Sequence, residues 1–110
     1  MSLLRNRIDI ANSKLREENK KCLVIYITGG DPDIKTTLML MHEIVEAGCD
    51  IIEIGVPFSD PMGDGVSNQK AAQRALKKGT NLKQIFMCIE DHRKKHNKSA
   101  IVLLSYLNPV

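Results

Sequence analysis

The chain has 110 residues, enough for one domain at most, and its 43% hydrophobic content is ordinary for a globular protein. The net charge of +3 is modest and the aromatic content of 4% includes no tryptophan, which argues against nucleic-acid binding and base stacking. No apolar run approaches the roughly 20 residues of a membrane span, and the three cysteines contain no C-x-x-C pair, so neither a disulfide framework nor a zinc knuckle is indicated.

The first half of the chain predicts a helix, a strand and a second helix. Apolar residues recur at helical spacing within residues 3–19, and the apolar, β-branched run 22–28 has the length of a strand. Asp31 before Pro32 reads as the N-cap and first position of the next helix, and Gly48 marks its end.

The second half predicts two more strands and two more helices. Residues 51–54 form an apolar strand, the polar loop 55–66 follows, and a helix covers 67–78. Another helix begins near Thr80, and residues 100–105 form the third strand. The residues of this last helix that we expect to face inward are Leu82, Ile85, Phe86 and Ile89. Apolar strands separated by helical crossovers predict a parallel sheet covered by helices.

Three parallel strands alone would leave long unpaired edges, which natural proteins avoid. The chain stops shortly after its third strand, at Val110. We therefore expect residues 1–110 to be a single, incomplete domain, the front part of a larger one. The start alternates charged and apolar residues, unlike a signal peptide, and the isolated cysteines are expected to be small buried thiols in a reducing cytoplasm.

Two carboxylates mark the region after the second strand as the candidate site. Glu53 is the only charge in its apolar strand, and Asp64 lies between two glycines in the loop that follows. The carboxyl ends of parallel strands share one edge of a sheet, so Asp31 and Asn108 are expected nearby. Paired acids suit proton transfer. The alternatives are a structural ion pair for Glu53 and turn formation for Asp64, as also for Asp60.

Metal and dinucleotide sites are not predicted. An EF-hand loop starting at Asp60 fails because Met62 and Ala71 occupy ligand positions, and the glycines lack the dinucleotide spacing. His92 and His96 are four residues apart, but cations surround them, so they are interpreted as residues of a helix C-terminus.

The motifs around Glu53 resemble those of the tryptophan synthase alpha subunit family. The run Gly-Val-Pro-Phe-Ser-Asp-Pro at 55–61 is highly specific, and Asp64-Gly65 follows it. Thr-Gly-Gly-Asp-Pro at 28–32 and Leu-Leu-Ser-Tyr-Leu-Asn-Pro at 103–109 fall at matching places. The resemblance covers nearly the whole chain. It implies an α/β fold, the N-terminal portion of a (β/α)8 TIM barrel, of which this chain supplies the first three strands.

The resemblance implies a lyase of tryptophan biosynthesis that cleaves indole-3-glycerol phosphate into indole and glyceraldehyde 3-phosphate. Glu53 would act as acid and base, while Asp64 would hydrogen-bond the indole N–H and stabilise the developing positive charge. Tyr26, Leu104 and Tyr106 would bind the substrate. The phosphate-binding residues would lie beyond Val110.

The resemblance also implies a partner, the beta subunit, in a heterotetramer of two alpha and two beta chains. Pro57, Asp60 and Pro61 would face that subunit, which alone would carry pyridoxal phosphate, so the chain is expected to have no cofactor or metal of its own. Two alternatives stay open: another phosphate-binding barrel, such as a sugar-phosphate isomerase, and a non-catalytic fragment that assembles with other chains.

Overall fold

The computed structural model describes residues 6–58 and 65–105 of the chain. Helices and strands follow one another along these residues in the predicted order, and the strand ends differ from the predicted ones by at most two residues. The elements are α1 (Arg7–Glu17), β1 (Val24–Thr28), α2 (Ile34–Glu46), β2 (Ile51–Gly55), α3 (Val66–Lys77), α4 (Leu82–Lys95) and β3 (Ala100–Leu104).

The three strands form one parallel sheet in the order β1-β2-β3, with β2 in the centre. Tyr26 of β1 lies beside Glu53 of β2, which in turn lies beside Val102 of β3. Helices connect the successive strands, as parallel pairing requires. The carboxyl ends of all three strands therefore lie at one edge of the sheet, as the sequence predicted.

One face of the sheet packs against the helices. Ile52 and Ile54 of β2 are fully buried and form a core cluster with Met41 of α2 and with Ile85 and Cys88 of α4. Burying a large aliphatic side chain contributes about 1.5–3 kcal/mol to stability. This layer is therefore what holds the central strand to the helices.

The opposite face is open at β1 and at the carboxyl end of β3. Val24, Tyr26 and Leu104 on this face are 43%, 36% and 45% exposed. The expectation that helices cover the strands is thus wrong for this face of β1 in the described part of the chain. The physical reason is alternation along each strand, because the strand residues of the core cluster all belong to the other face.

The N-cap of the second helix lies two residues later than predicted. Asp33, not Asp31, is the N-cap of α2, and its carboxylate accepts a hydrogen bond of 2.7 Å from the Thr36 amide. This hydrogen bond is the first cause that lowers the pKa of Asp33. Sequence reasoning chose Asp31 because a proline follows it, but the Asp31 carboxylate binds Arg74 instead.

Two burial predictions are also wrong. Phe86 is 52% exposed, because the inward face of α4 follows Ile85, Cys88 and His92, and Phe86 lies about 100° around the helix from Ile85. Cys22, two residues before β1, is exposed and not buried, whereas burial raises the pKa of Cys88 to about 11. None of the described helices combines the length and apolar character of a membrane-crossing segment.

Candidate active site

Backbone hydrogen bonds continue the sheet beyond its last strand residues and fix the edge where the site residues lie. The amide of Gly29 donates to the carbonyl of Gly55 over 2.8 Å, and the amide of Val56 donates to the carbonyl of Leu104 over 2.8 Å. The segments that leave the three strands are therefore anchored to one another. This edge is the usual position of functional residues in parallel α/β folds.

Glu53 lies on the open face of the sheet. Its strand neighbours in the sequence, Ile52 and Ile54, point into the core, so alternation directs Glu53 to the opposite face, where it is half-buried. Across the sheet its register partners are Tyr26 and Val102, whose side chains share that face. None of the ion pairs found among the described residues includes Glu53, so the structural ion pair has no support there.

Tyr26 reaches diagonally from β1 towards the carboxyl edge of β2. A Cβ atom built on Gly55 would lie 2.7 Å from Cζ of Tyr26 and even closer to its hydroxyl oxygen. Any side chain at position 55 would therefore displace the ring. The absence of a side chain at Gly55 leaves room for the phenol of Tyr26 to lie across β2. Glu53, the register partner of Tyr26, is two residues before Gly55 on the same strand.

The structure brings part of the predicted site together. Leu104 is in register with Gly55 and projects from the same face as Tyr26 and Glu53. These three residues form an open surface at one end of the sheet, with one carboxyl group, one phenol and one aliphatic side chain. Such a surface can bind an aromatic ring and exchange a proton with it.

The other predicted site residues are not tested by the structure. Pro57 is buried within the chain, and its contact with a partner subunit stays a prediction. The remaining predicted residues lie outside the described ranges 6–58 and 65–105, and they are Asp60, Pro61, Asp64, Tyr106 and Asn108.

Sequence reasoning missed an ion pair beside the site. Arg74 of α3 donates two hydrogen bonds to the carboxylate of Asp31, from Nε to Oδ1 over 2.7 Å and from Nη2 to Oδ2 over 3.0 Å. These bonds are the first cause that raises the pKa of Arg74. The two residues are 43 positions apart, so no local sequence pattern signalled the pair.

Three histidines meet between α2 and α4, away from the sheet edge. The ring centroid of His42 is 5.0 Å from that of His92 and 5.2 Å from that of His96, and the latter two are 5.1 Å apart. The sequence pattern places His92 and His96 near a helix C-terminus, but it gives no indication that His42 lies beside them. Among residues 6–58 and 65–105, no group of three or more His, Cys, Asp or Glu side chains is arranged to hold a metal ion.

Comparisons with known proteins agree on one family. The family described as "Tryptophan synthase alpha chain" matches residues 12–110. The tryptophan synthase alpha chains of Dechloromonas aromatica and Nitrosomonas europaea are 49% and 46% identical to this chain over 96% of its length. Among solved structures, tryptophan synthase subunit alpha from Legionella pneumophila is 40% identical over 96% of the chain with a TM-score of 0.94. A tryptophan synthase complex from Pyrococcus furiosus matches 80% of the chain at 41% identity with a TM-score of 0.75.

The matched region is only part of each relative. The chain spans 39% and 38% of the two curated alpha chains, and 40% of the Legionella structure. The superposition confirms the predicted fold class, in which these three parallel strands and their helices form the N-terminal portion of a TIM barrel. The open face of the sheet is accordingly the face that points to the barrel interior.

Proposed function

The chain belongs to the tryptophan synthase alpha chain family, and from this membership we propose that the protein cleaves indole-3-glycerol phosphate into indole and glyceraldehyde 3-phosphate. The family is one of lyases, and the proposal concerns the whole protein because the chain spans 39% of its relative from Dechloromonas aromatica. The single observation that carries the proposal is the position of Glu53. It is the one acid of β2, half-buried on the barrel-interior face beside Tyr26.

The reaction needs a group that both gives and takes a proton. Breaking the bond to C3 of the indole ring requires a proton on that carbon, and the hydroxyl of the glycerol chain must lose one. Glu53 is proposed to do both, because its carboxyl group stands on an apolar strand with no ion-pair partner among the described residues. Positioned acid–base groups of this kind typically contribute about 10²–10⁴-fold to a rate.

A second acid is proposed to stabilise the positive charge that develops on the indole ring. Asp64 follows β2 in the sequence by nine residues and is assigned this role by accepting a hydrogen bond from the indole N–H. Tyr26 and Leu104 are proposed to bind the indole ring, since both expose apolar surface on the face of Glu53. Tyr106, two residues after Leu104, is proposed to bind the same substrate.

The proposed partner is a tryptophan synthase beta subunit, in an assembly of two alpha and two beta chains. Support comes from the similarity to a chain of the tryptophan synthase complex from Pyrococcus furiosus. Pro57, Asp60 and Pro61 are proposed to contact this partner. Pyridoxal phosphate would belong to the beta subunit, and the alpha chain would use no cofactor of its own.

A cytoplasmic location is part of the proposal. The three cysteines of the described residues, Cys22, Cys49 and Cys88, are all free thiols. Free thiols are typical of proteins that work in a reducing compartment.

Replacing Glu53 by Gln tests the proposal, because the amide keeps the size of the side chain and removes its proton chemistry. In the full-length protein, Glu53→Gln is expected to lower indole release by about 10²–10⁴-fold. The matched control is Glu90→Gln, an exposed acid on α4, which should retain the parent rate. Thermal unfolding of both variants checks that the fold is intact.

Two results would reject the proposal. If Glu53→Gln releases indole as fast as Glu90→Gln, the acid–base role of Glu53 is wrong. If the parent isomerises sugar phosphates and releases no indole, the isomerase alternative replaces the lyase.

A further inference from the structure

The amino-terminal ends of β1 and β2 are held together by hydrogen bonds around Leu23. The Leu23 amide donates to Oδ2 of Asp50 over 2.7 Å. The Leu23 carbonyl accepts from the amides of Asp50 and Ile51 over 3.0 and 3.2 Å. These bonds extend the parallel register, in which Val24 lies beside Ile51, by one position. Leu23 and Asp50 therefore lie side by side.

A cysteine precedes each of these two residues. Cys22 comes directly before Leu23, and Cys49 comes directly before Asp50, so the two cysteines occupy equivalent positions on adjacent segments of the chain. Neighbouring strands lie about 4.7–4.9 Å apart, and the Cα atoms of a disulfide usually lie about 4.4–6.8 Å apart. The spacing of the two segments is therefore suitable for a disulfide.

The thiol of Cys49 points to the segment that carries Cys22. Its Sγ donates to the carbonyl oxygen of Leu23 over 3.6 Å and to that of Ile51 over 3.0 Å. Burial is the first cause that raises the pKa of Cys49, and the charges of Asp50 and Cys22 add to it. An electrostatic effect of one thiol on the other requires that the two lie close together.

The cysteines differ in their access to solvent. Cys22 is exposed, whereas Cys49 is half-buried. A water-soluble oxidant therefore reaches Cys22 first. Cys88 is buried in the core cluster with Met41 and Ile85, in a different part of the fold.

We propose that Cys22 and Cys49 are an oxidisable thiol pair, which a small disulfide such as oxidised glutathione converts into a reversible disulfide between the amino-terminal ends of β1 and β2. Disulfides of cytosolic proteins are usually transient, so the pair is a dithiol under reducing conditions. The inference does not depend on the proposed function, because the pair lies at the opposite end of the strands from the candidate active site.

The reaction consists of two thiol–disulfide exchanges. The thiolate of Cys22 attacks one sulfur of oxidised glutathione, which forms a mixed disulfide and releases one glutathione. The thiolate of Cys49 then attacks the Cys22 sulfur and releases the second glutathione. The protein loses two electrons and two protons, and the glutathione disulfide gains them. Because burial and the charge of Asp50 raise the pKa of Cys22, the rate should rise about tenfold from pH 7 to pH 8.

Peptide mapping of the full-length protein identifies the bond. Digestion with trypsin leaves each of the three cysteines in a peptide of its own, and these peptides are 22–35, 36–70 and 84–93. The folded protein is treated with oxidised glutathione at pH 8, and the remaining thiols are then blocked with N-ethylmaleimide in denaturant. Mass spectrometry is expected to find the first two peptides joined and lighter than their sum by two hydrogen atoms. Cys88 should carry the blocking group, which makes it the internal control.

Two variants separate the two exchanges. Cys49→Ser should stop at the mixed disulfide and keep one glutathione on peptide 22–35. Cys22→Ser should leave Cys49 unmodified over the time in which the parent forms its disulfide, because Cys49 is half-buried. The oxidised parent should unfold at a higher urea concentration than the reduced parent, since the bond closes a loop of the unfolded chain. The same treatment should not raise the midpoint of Cys22→Ser.

Four results would overturn the inference. They are a parent that keeps glutathione on Cys22 without joining the two peptides, a parent in which Cys22 is joined to a cysteine other than Cys49, a parent that stays unmodified, and an oxidised parent that unfolds at the same or a lower urea concentration than the reduced one. None of these measurements involves indole release, so their outcome leaves the proposed function untouched.

Discussion

Replacing His92 by Gln is expected to reduce the loss of stability that acidification causes below pH 6.5. His92 is fully buried between α2 and α4, and its Nε2 lies 2.8 Å from Oγ of Ser99. Burial is the main cause that lowers the pKa of His92 from 6.5 to about 4, and the neighbours His42, His96 and Arg93 add to it. The folded protein therefore keeps this imidazole neutral at a pH where the unfolded chain protonates it.

The surroundings of His92 offer little compensation for a positive charge. The Nδ1 atoms of His42 and His92 and the Nε2 atom of His96 are buried and find no hydrogen-bond partner within residues 6–58 and 65–105. Glu46 Oε1 lies 3.5 Å from Lys95 Nζ and 3.7 Å from His96 Nε2, so this acid is already paired with a lysine. The charged or titratable groups around the cluster are Glu43 and Glu46 of α2, Arg93 and Lys95 of α4, and Arg7 of α1, which acts on Arg93.

The sign and size of the effect follow from proton linkage. Because the folded-state pKa of His92 is lower than the unfolded one, its contribution is fully present above pH 6.5 and is lost as the pH falls towards 4. At about 1.36 kcal/mol per pH unit, the loss is about 2 kcal/mol at pH 5 and approaches about 3 kcal/mol near pH 4. Acidic residues also titrate in this range, so the relevant quantity is the difference between parent and variant.

Urea unfolding at pH 7, 5 and 4 measures this difference. Gln at position 92 retains a hydrogen-bonding group for Ser99 but cannot bind a proton, so the variant should be less stable at pH 7 and less sensitive to acid. Proton NMR of the imidazole rings follows the titration of His92 directly. Equal dependence of stability on pH in the two proteins, or a His92 that titrates near 6.5 in the folded protein, would refute the reasoning.

Two further substitutions test contacts at the sheet edge and at a helix start. Gly55→Ala is expected to displace the ring of Tyr26 and to raise KM for indole-3-glycerol phosphate. Gly65→Ala, whose Cβ would meet none of the described residues within 4 Å, should leave Tyr26 in place, and an unchanged KM in Gly55→Ala would contradict the assigned contact. Asn81→Ala removes the N-cap of α4, where the side chain accepts from the Gln84 amide over 2.9 Å, and should lower the free energy of unfolding by about 1 kcal/mol in urea titrations.

The order of helices and strands was predictable because the spacing of apolar residues differs between helices and strands. Continuous β-branched runs predicted β1 and β2, and the isolated charge of Glu53 in such a run identified the candidate site. The cap of α2 was wrong because two aspartates flank Pro32, and only the position of Thr36 decides which of them caps the helix. Element types follow from local patterns, whereas caps depend on which donors the fold brings near.

Contacts between elements far apart in the sequence could not be predicted from local patterns. The Asp31–Arg74 pair joins residues 43 positions apart, and His42 of α2 contacts His92 of α4 and His96, the residue at the C-terminal cap of α4. Both depend on how the helices are rotated about their axes. The spacing of four residues indicated that His92 and His96 lie near each other on a helix. The contact of His42 with them could not be predicted, because His42 comes from a different helix.

The two faces of β2 carry different kinds of residue, core residues on one face and the proposed catalytic acid on the other. Ile52 and Ile54 hold the strand against α2 and α4, and truncating either would cost stability by leaving a cavity in a close-packed layer. Glu53 lies between them on the other face, where no described ion pair engages it and where Tyr26 and Leu104 remain exposed. A carboxylate is costly to bury without a partner, so a half-buried acid on the barrel-interior face is a poor choice for stability. The presence of an acid between two core residues is explained if its carboxyl group acts on a bound substrate, as proposed.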